Sequence, residues 1–545
     1  MDTAMDTAMA TVPGMPTRRR PQRDREADRW YAAARSRHAG FAMLVPATAA
    51  FFAMSANAQV ATDATVAARR GWVIVPRVSV SETFTDNATL GSAARQSDLV
   101  TEISPGVSVQ SNSGRLKGSF DYSLRNFLYA QGSQGNRSQN SLNTFGSLEA
   151  VEKWLYVDFS GLVSRQTISA FGTQVASDTS TNANSTETAS FRLSPYVRGR
   201  LGSFADYNVR YSHSETSSKS ALATNVATDD FSASLSGLTR LSRISWGLDA
   251  SRQSVGYGSS RKNESDRVNG QLFYLYSPEL KFTTRYGVEA NNYSTLTKEP
   301  RSSFGYGADW SPSERTQLSV FRERRFFGDG HTITFNHRLP RSVVRFTDTR
   351  DVSVLPNQLT SVGLGTYYDL LFSQLQSAIP DPVLRAQQVN ALLQQSGIAP
   401  NSTVTANFLT SRASVRRRQE LSLVLNGLRN TVTYTFFQST AQSVSAAAVP
   451  LPDDFSASGV VKQRGMSSNY SHRLTALTSI NSLGSWTRNS GSTAGLENTM
   501  KLLNVNVSTK LSPKTSASFG IRTTVSSGAT SYRENAVLGA LHATF

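Results

Sequence analysis

The side chains able to do chemistry are few and scattered. The 545-residue chain has no cysteine, which excludes disulfides, thiolate-bound zinc and thiol nucleophiles. Its six histidines are His38, His213, His331, His337, His472 and His542. None belongs to an HExxH pair, and His331 and His337 share parity but stand too far apart to make a good metal site. No GxGxxG or P-loop run occurs, and Gly305-Tyr306-Gly307 reads as strand alternation. No GxSxG elbow occurs, and serine is too frequent for one to stand out as a nucleophile. These residues predict no catalytic site, no metal and no cofactor.

The arginines say more. Arg412, Arg416 and Arg418 share one strand face with Ser414 and Ser422, while Ala413, Val415, Leu421, Leu423 and Leu425 take the other. Inside a lumen this basic ladder would select for anions; the plainer reading pairs it with Asp or Glu of neighbouring strands. Arg322, Arg324 and Arg325 follow Leu318 and Val320 near the outer end of a strand. There they would meet lipopolysaccharide phosphate, or form an exposed charge cluster before Phe326 and Phe327.

Both readings require strands, and from Trp72 to Phe545 the dominant period is two. Phe120, Tyr122, Leu124 and Leu128 alternate with Ser119, Asp121, Ser123 and Arg125. Leu155, Val157, Phe159 and Val163 interleave with Asp158, Ser160 and Ser164. Phe231, Ala233 and Leu235 interleave with Ser232, Ser234 and Ser236. Such segments have one apolar and one polar face. They run about 10–14 residues, against about five or six in soluble sheets, and a tilted strand needs about 9–11 to cross a bilayer. Hydrocarbon offers no partner to a free strand edge, so the sheet must close. Short turns such as Arg200-Leu201-Gly202, Ser277-Pro278-Glu279-Leu280 and Ser512-Pro513-Lys514-Thr515 alternate with long polar stretches, among them 130–141, 168–186 and 442–458. The fold expected is all-β: a transmembrane antiparallel β-barrel of about 20–22 strands. Trp154, Trp246 and Trp310 sit close to short turns, where an inner aromatic girdle would lie.

The two ends read as addresses. A basic segment from Arg18 to Arg37, an apolar segment from Ala39 to Met54 and the small-x-small run Ala56-Asn57-Ala58 have the order of a secretory signal. Cleavage after Ala58 would leave a short lead-in over 59–71 and a barrel over 72–545. The net charge is +17; residues 1–58 contribute +3, eight basic against five acidic side chains, leaving about +14 on the mature chain. Export and dispersed charge argue against nucleic acid and for polyanionic glycans or lipopolysaccharide phosphate. At the other end Val537, Gly539, Leu541, Ala543 and Phe545 share one face. A terminal aromatic closing such a strand is similar to the signal read by the outer-membrane assembly machinery, with Leu541, Ala543 and Phe545 as its residues.

Residues 366–396 break the pattern. Leu370, Leu371, Leu375 and Ile379 recur at helical spacing, Asp381-Pro382 supplies an N-cap and a first-turn proline, and Gly397 a C-cap. The expectation is a small helical insert that plugs the lumen, covers the mouth, binds a partner or simply folds as a loop. Its side of the membrane turns on the strand count through 331–425.

Four short runs bear on family. They are Pro76-Arg77-Val78-Ser79-Val80-Ser81-Glu82-Thr83 leading to Asp86-Asn87, Ser104-Pro105-Gly106-Val107, His337-Arg338-Leu339-Pro340-Arg341 and Arg429-Asn430-Thr431-Val432. In their order the chain resembles the PEP-CTERM system-associated outer-membrane proteins found with exopolysaccharide loci. The resemblance implies an outer-membrane barrel tied to production or export of extracellular polysaccharide, and it brings no catalytic residues. The expected function is a passive channel or export pore for a glycan, anionic in its sharper form. The alternatives are a non-conducting scaffold of the polysaccharide machinery and an outer-membrane lipid or glycan hydrolase. Expected partners are outer-membrane lipid and lipopolysaccharide, the assembly machinery, and the exopolysaccharide with its export proteins.

Overall fold

A computed structural model of the chain describes residues 71–545 apart from 259–261, 296, 355–371, 373–384, 386–388, 390–407, 410, 411, 445–452 and 529. The signal reading, with Ala56 and Ala58, lies outside the described residues. Twenty-two strands are described. They are β1 (Trp72–Thr85), β2 (Asp98–Asn112), β3 (Leu116–Tyr129), β4 (Arg137–Val151), β5 (Leu155–Thr167) and β6 (Ser185–Leu201). Then come β7 (Ala205–Ser218), β8 (Val226–Leu238), β9 (Ile244–Tyr257), β10 (Lys262–Ser277) and β11 (Leu280–Asn291). β12 (Glu299–Ser313), β13 (Thr316–Arg325), β14 (Gly328–Arg338), β15 (Ser342–Ser353) and β16 (Ser414–Asn426) follow. The series ends with β17 (Asn430–Ser443), β18 (Val460–Arg473), β19 (Thr478–Gly491), β20 (Glu497–Ser512), β21 (Thr515–Ser527) and β22 (Tyr532–Thr544).

Each strand pairs antiparallel with its sequence neighbours, and β22 pairs with β1, Arg77–Thr85 lying against Ala536–Thr544. The sheet is therefore a closed, transmembrane β-barrel. Closure follows from the environment: an unpaired N–H or C=O facing hydrocarbon costs several kcal/mol. The outward face carries Ile74, Phe191, Leu193, Tyr286, Phe304 and Phe519, each more than half exposed. The inward face of the barrel carries Ser119, Thr188, Ser190, Asn269 and Thr283, all buried. An apolar exterior around a polar interior inverts the soluble pattern and is what lipid outside and water inside require.

Connections after even-numbered strands are short and those after odd-numbered strands are mostly long. Both barrel termini thus lie on the turn side. So do Trp72, Trp154 and Trp310, all about half exposed. The segment between β15 and β16 follows an odd strand, which puts the insert on the loop side. Within 366–396 the described residues Phe372, Arg385 and Val389 are helical, and the rest of the expected insert lies outside the described residues.

Two of the singled-out runs hold the wall together. Asp86 and Asn87 buckle the closing seam: Asp86 accepts from the Asn535 amide N–H at 2.7 Å and side chain at 2.8 Å, and Asn87 Nδ2 donates to the Arg533 carbonyl at 3.0 Å. Just inside, Glu534 of β22 accepts from Arg522 of β21 at 2.9 Å and from Thr85 of β1 at 3.0 Å. In Ser104-Pro105-Gly106-Val107, a Cβ on Gly106 would sit 3.1 Å from Arg77 Nε and 2.6 Å from the Tyr122 carbonyl. Its absence lets Arg77 of β1 cross β2 and reach Asp121 of β3, Nη2 to Oδ1 at 2.6 Å.

Candidate functional site at the loop-side mouth

Long loops rich in Ser, Thr, Asn and Gln need partners for their backbone. Where loops crowd a closed ring, the nearest partners are the lumen-facing ends of its strands. The connection between β5 and β6, residues 168–184, takes that course. It leaves β5, meets the loop between β17 and β18 and strand β19 through Ser169 and Ala170, then β20 and β22, and last β3, β4 and β21 before entering β6.

On the near side Asp178 lies among Arg125 of β3, Arg137 of β4 and Arg165 of β5. Arg125 pairs with it directly, Arg137 donates to its backbone carbonyl, and Arg165 stands 3.9 Å away. Burial opposes ionisation of Asp178, but the Arg125 and Arg165 charges outweigh this and hold its carboxyl below the usual range. Tyr129 donates to the Thr179 carbonyl at 2.7 Å. Across the mouth Tyr532 donates to the Gln174 carbonyl at 2.7 Å, Asn498 to Gly172 at 2.8 Å and Asn489 to Ala170 at 2.9 Å. Thr173 and Thr530 touch through their hydroxyls.

On the far side of the mouth the first residues of the loop are latched. Asp454 begins the short helical turn Asp454–Ala457 between β17 and β18. Its carboxylate accepts from Ser169 Oγ at 2.5 Å and from the Ala170 N–H at 2.7 Å. Burial, added to by neighbouring Asp453 and partly offset by these two bonds, pushes the Asp454 carboxyl up to about 6. Ala170, Phe171, Phe408, Ala441, Phe455 and Val461 bury one another around it.

The roots of the β15–β16 segment also turn over the mouth. Val354 and Ala413 pack in an apolar cluster with Val226, Val255, Tyr257 and Tyr293, and Tyr257 donates to the Val354 carbonyl. Leu409 N–H donates to the Thr167 carbonyl of β5 at 3.2 Å. Phe372 lies edge-on to Phe145, a lumen-facing residue of β4, with ring centroids 6.1 Å apart, and Arg385 stacks 4.6 Å over Phe372. Phe372 and Arg385 therefore reach inside the barrel.

The sequence-predicted residues fall in different places. Arg416 and Arg418 face the lumen on β16, with Arg418 3.1 Å from Glu420. Arg412 stands before the strand begins and grips Asp453 at 2.7 and 2.8 Å, bracing the latch turn. Arg322 and Arg324 face outward on β13. Arg325 faces the lumen, where it pairs with Glu289 at 2.8 Å and with Asp351. Leu541 and Ala543 face outward on β22, and the Phe545 N–H donates to the Pro76 carbonyl at 2.9 Å. Sequence reasoning missed Asp178, Asp454, Ser169 and Gln174. Among the described residues no group of three or more His, Asp or Glu could hold a metal ion.

No family model matches the chain and no curated protein matches it. Solved structures do. The FrpB iron transporter from Neisseria meningitidis aligns at 10% identity and TM-score 0.48, covering 87% of this chain and 81% of that one. The siderophore receptor PirA from Pseudomonas aeruginosa aligns at 10% and 0.42, covering 86% and 80%. The ferric-catecholate import receptor Fiu from E. coli K12 aligns at 7% and 0.43, covering 86% and 81%. The likeness is one of barrel architecture and carries nothing about cargo.

Proposed function

We propose that this chain is an outer-membrane conduit for an extracellular, anionic polysaccharide, of the PEP-CTERM-associated kind, closed at its outer mouth by its own loops. The observation that carries the reading is the kind of closure: the β5–β6 loop crosses a polar lumen and is tied to the wall by side-chain hydrogen bonds. A sheet edge cannot leave hydrocarbon, but a loop in water can exchange such bonds for solvent at about 0.5–1.5 kcal/mol each. That closure can open.

The turn side, periplasmic in this reading, supports an anionic cargo. The ten short turns hold Arg115, Lys153, Arg240, Arg243, Arg315, Arg341, Arg429 and Lys514, all exposed, against Glu152, Glu279 and Glu314. Eight cations over three anions give +5 around the lower rim. Of the eight, only Lys153 forms an ion pair among the described residues. Such a ring concentrates a polyanion at the mouth. Inside, hydroxyl and amide side chains offer weak repeated bonds that let a glycan move without being trapped.

Deleting the gene should abolish secreted polysaccharide and leave polymer in the periplasm. Complementation with Arg240, Arg243, Arg341 and Arg429 all changed to glutamine should restore secretion severalfold less well than the parent. Unchanged secretion in the deletion strain would contradict the proposal. Phe372 and Arg385, set against Phe145 inside the lumen, favour a second reading, a permanently plugged scaffold. That reading predicts no conductance from the purified barrel even after removal of 366–396, together with co-purification of a periplasmic partner.

A further inference from the structure

The outward face of β12–β16 departs from the apolar rule. Cross-strand register places Tyr306, Arg322, His331, Arg350 and Arg417 in one outward row over five strands. Four residues nearer the turn side the corresponding row is Trp310, Leu318, Phe335, Phe346 and Leu421, apolar throughout. The rows lie roughly 13 Å apart along the strands. Arg on a lipid face costs about 2–4 kcal/mol at the bilayer midplane and about 0–1 near the interface. The basic row therefore marks the headgroup level and the apolar row the acyl level of the loop-side leaflet.

The patch is built as well as charged. Asp348 sits between these rows, buried, and accepts from Arg417 at 2.7 Å, Gln419 at 2.9 Å and His331 at 3.0 Å. Asp329 pairs with Arg322 at 2.7 Å and gives its backbone carbonyl to Arg350. Arg324, one row higher, forms no ion pair among the described residues. Arg322, Arg324, Arg350 and Arg417 against Asp329 and Asp348 leave two positive charges. The Arg322 and Arg417 side chains are 55% and 49% exposed.

We infer that this patch binds a phosphorylated glycolipid of the outer leaflet. Its phosphates sit on Arg322, Arg324, Arg350 and Arg417, and its acyl chains lie along Leu318, Phe335, Phe346 and Leu421. Guanidinium forks match phosphate oxygens, and two aspartates hold them in place beforehand. The inference is independent of what crosses the lumen.

The test is native mass spectrometry of the full-length detergent-solubilised protein. The probes are bisphosphorylated lipid A, the same lipid stripped of both phosphates, and inorganic phosphate. The parent should bind lipid A, and R322Q/R350Q/R417Q should bind it at least tenfold more weakly while keeping heat-modifiable gel mobility. The stripped lipid should bind the parent no better than lipid A binds the variant, and inorganic phosphate should not displace lipid A. Wild-type affinity in the triple variant, equal binding of the stripped lipid, or displacement by inorganic phosphate would each overturn the assignment. Should the triple variant not fold, Arg350→Gln alone should weaken binding about threefold, and unchanged affinity would count against the site.

Discussion

Replacing Asp454 with alanine should unlatch the β5–β6 loop. The substitution removes the acceptor for Ser169 Oγ and for the Ala170 N–H, and Ala170 is 1% exposed. An orphaned buried donor costs about 1–3 kcal/mol. Losing the Asp454 carboxyl, itself poorly accommodated as an ion, returns part of that. The net is about 2 kcal/mol, which raises the open fraction roughly thirtyfold. Because the chain has no cysteine, Ala176→Cys supplies one reporter thiol in the loop, at a position 9% exposed. Its maleimide modification rate follows the opening equilibrium when closing is faster than reaction. The rate should rise roughly thirtyfold on adding Asp454→Ala, and a change under twofold would show that Asp454 does not hold the loop.

Three further outcomes follow from the same contacts. The closed latch binds the Asp454 proton more tightly than an open loop, about 6 against 3.8, so closure is favoured most below about pH 4 and loses that preference as pH rises through about 6. The groups facing Asp454 are Asp453, held by Arg412, the Ser169 hydroxyl and the Ala170 N–H, so reporter modification, corrected with a model thiol, should rise over this window and stay flat in Asp454→Asn. Glu534→Ala leaves Arg522 buried beside the seam without its partner, about 3–5 kcal/mol, and should lower the temperature at which the folded gel band disappears. Gly106→Val should do the same and release Arg77 from Asp121, which a double-mutant cycle with Asp121→Asn would register as lost coupling.

Alternation revealed the wall because one face of every strand meets hydrocarbon. Where strands rise clear of it the signal stops. β4 begins at Arg137, yet Arg137-Ser138-Gln139-Asn140-Ser141 is polar on both faces and reads as loop. The inward course of 168–184 was illegible for a related reason: Ser, Thr, Asn and Gln satisfy a wall and water equally well. Parity alone separates Arg325 from Arg322 and Arg324, since odd and even positions face opposite ways. By contrast Arg350 and Arg417 joined the outward patch only through register across β13–β16, which no local pattern encodes. Arg412 shares parity with Arg416 and Arg418, but β16 starts at Ser414, so the ladder ends one row short and Arg412 serves the latch turn.

A lumen that the β5–β6 loop closes should be held shut by a covalent bond across its mouth. Thr173 and Thr530 touch, and no other thiol would compete, so Thr173→Cys with Thr530→Cys should form a reversible lock. In planar bilayers the oxidised variant should stay silent and the reduced one show discrete openings. Equal conductance before and after reduction, or none in either state with the disulfide verified, would contradict a lumen closed in this way.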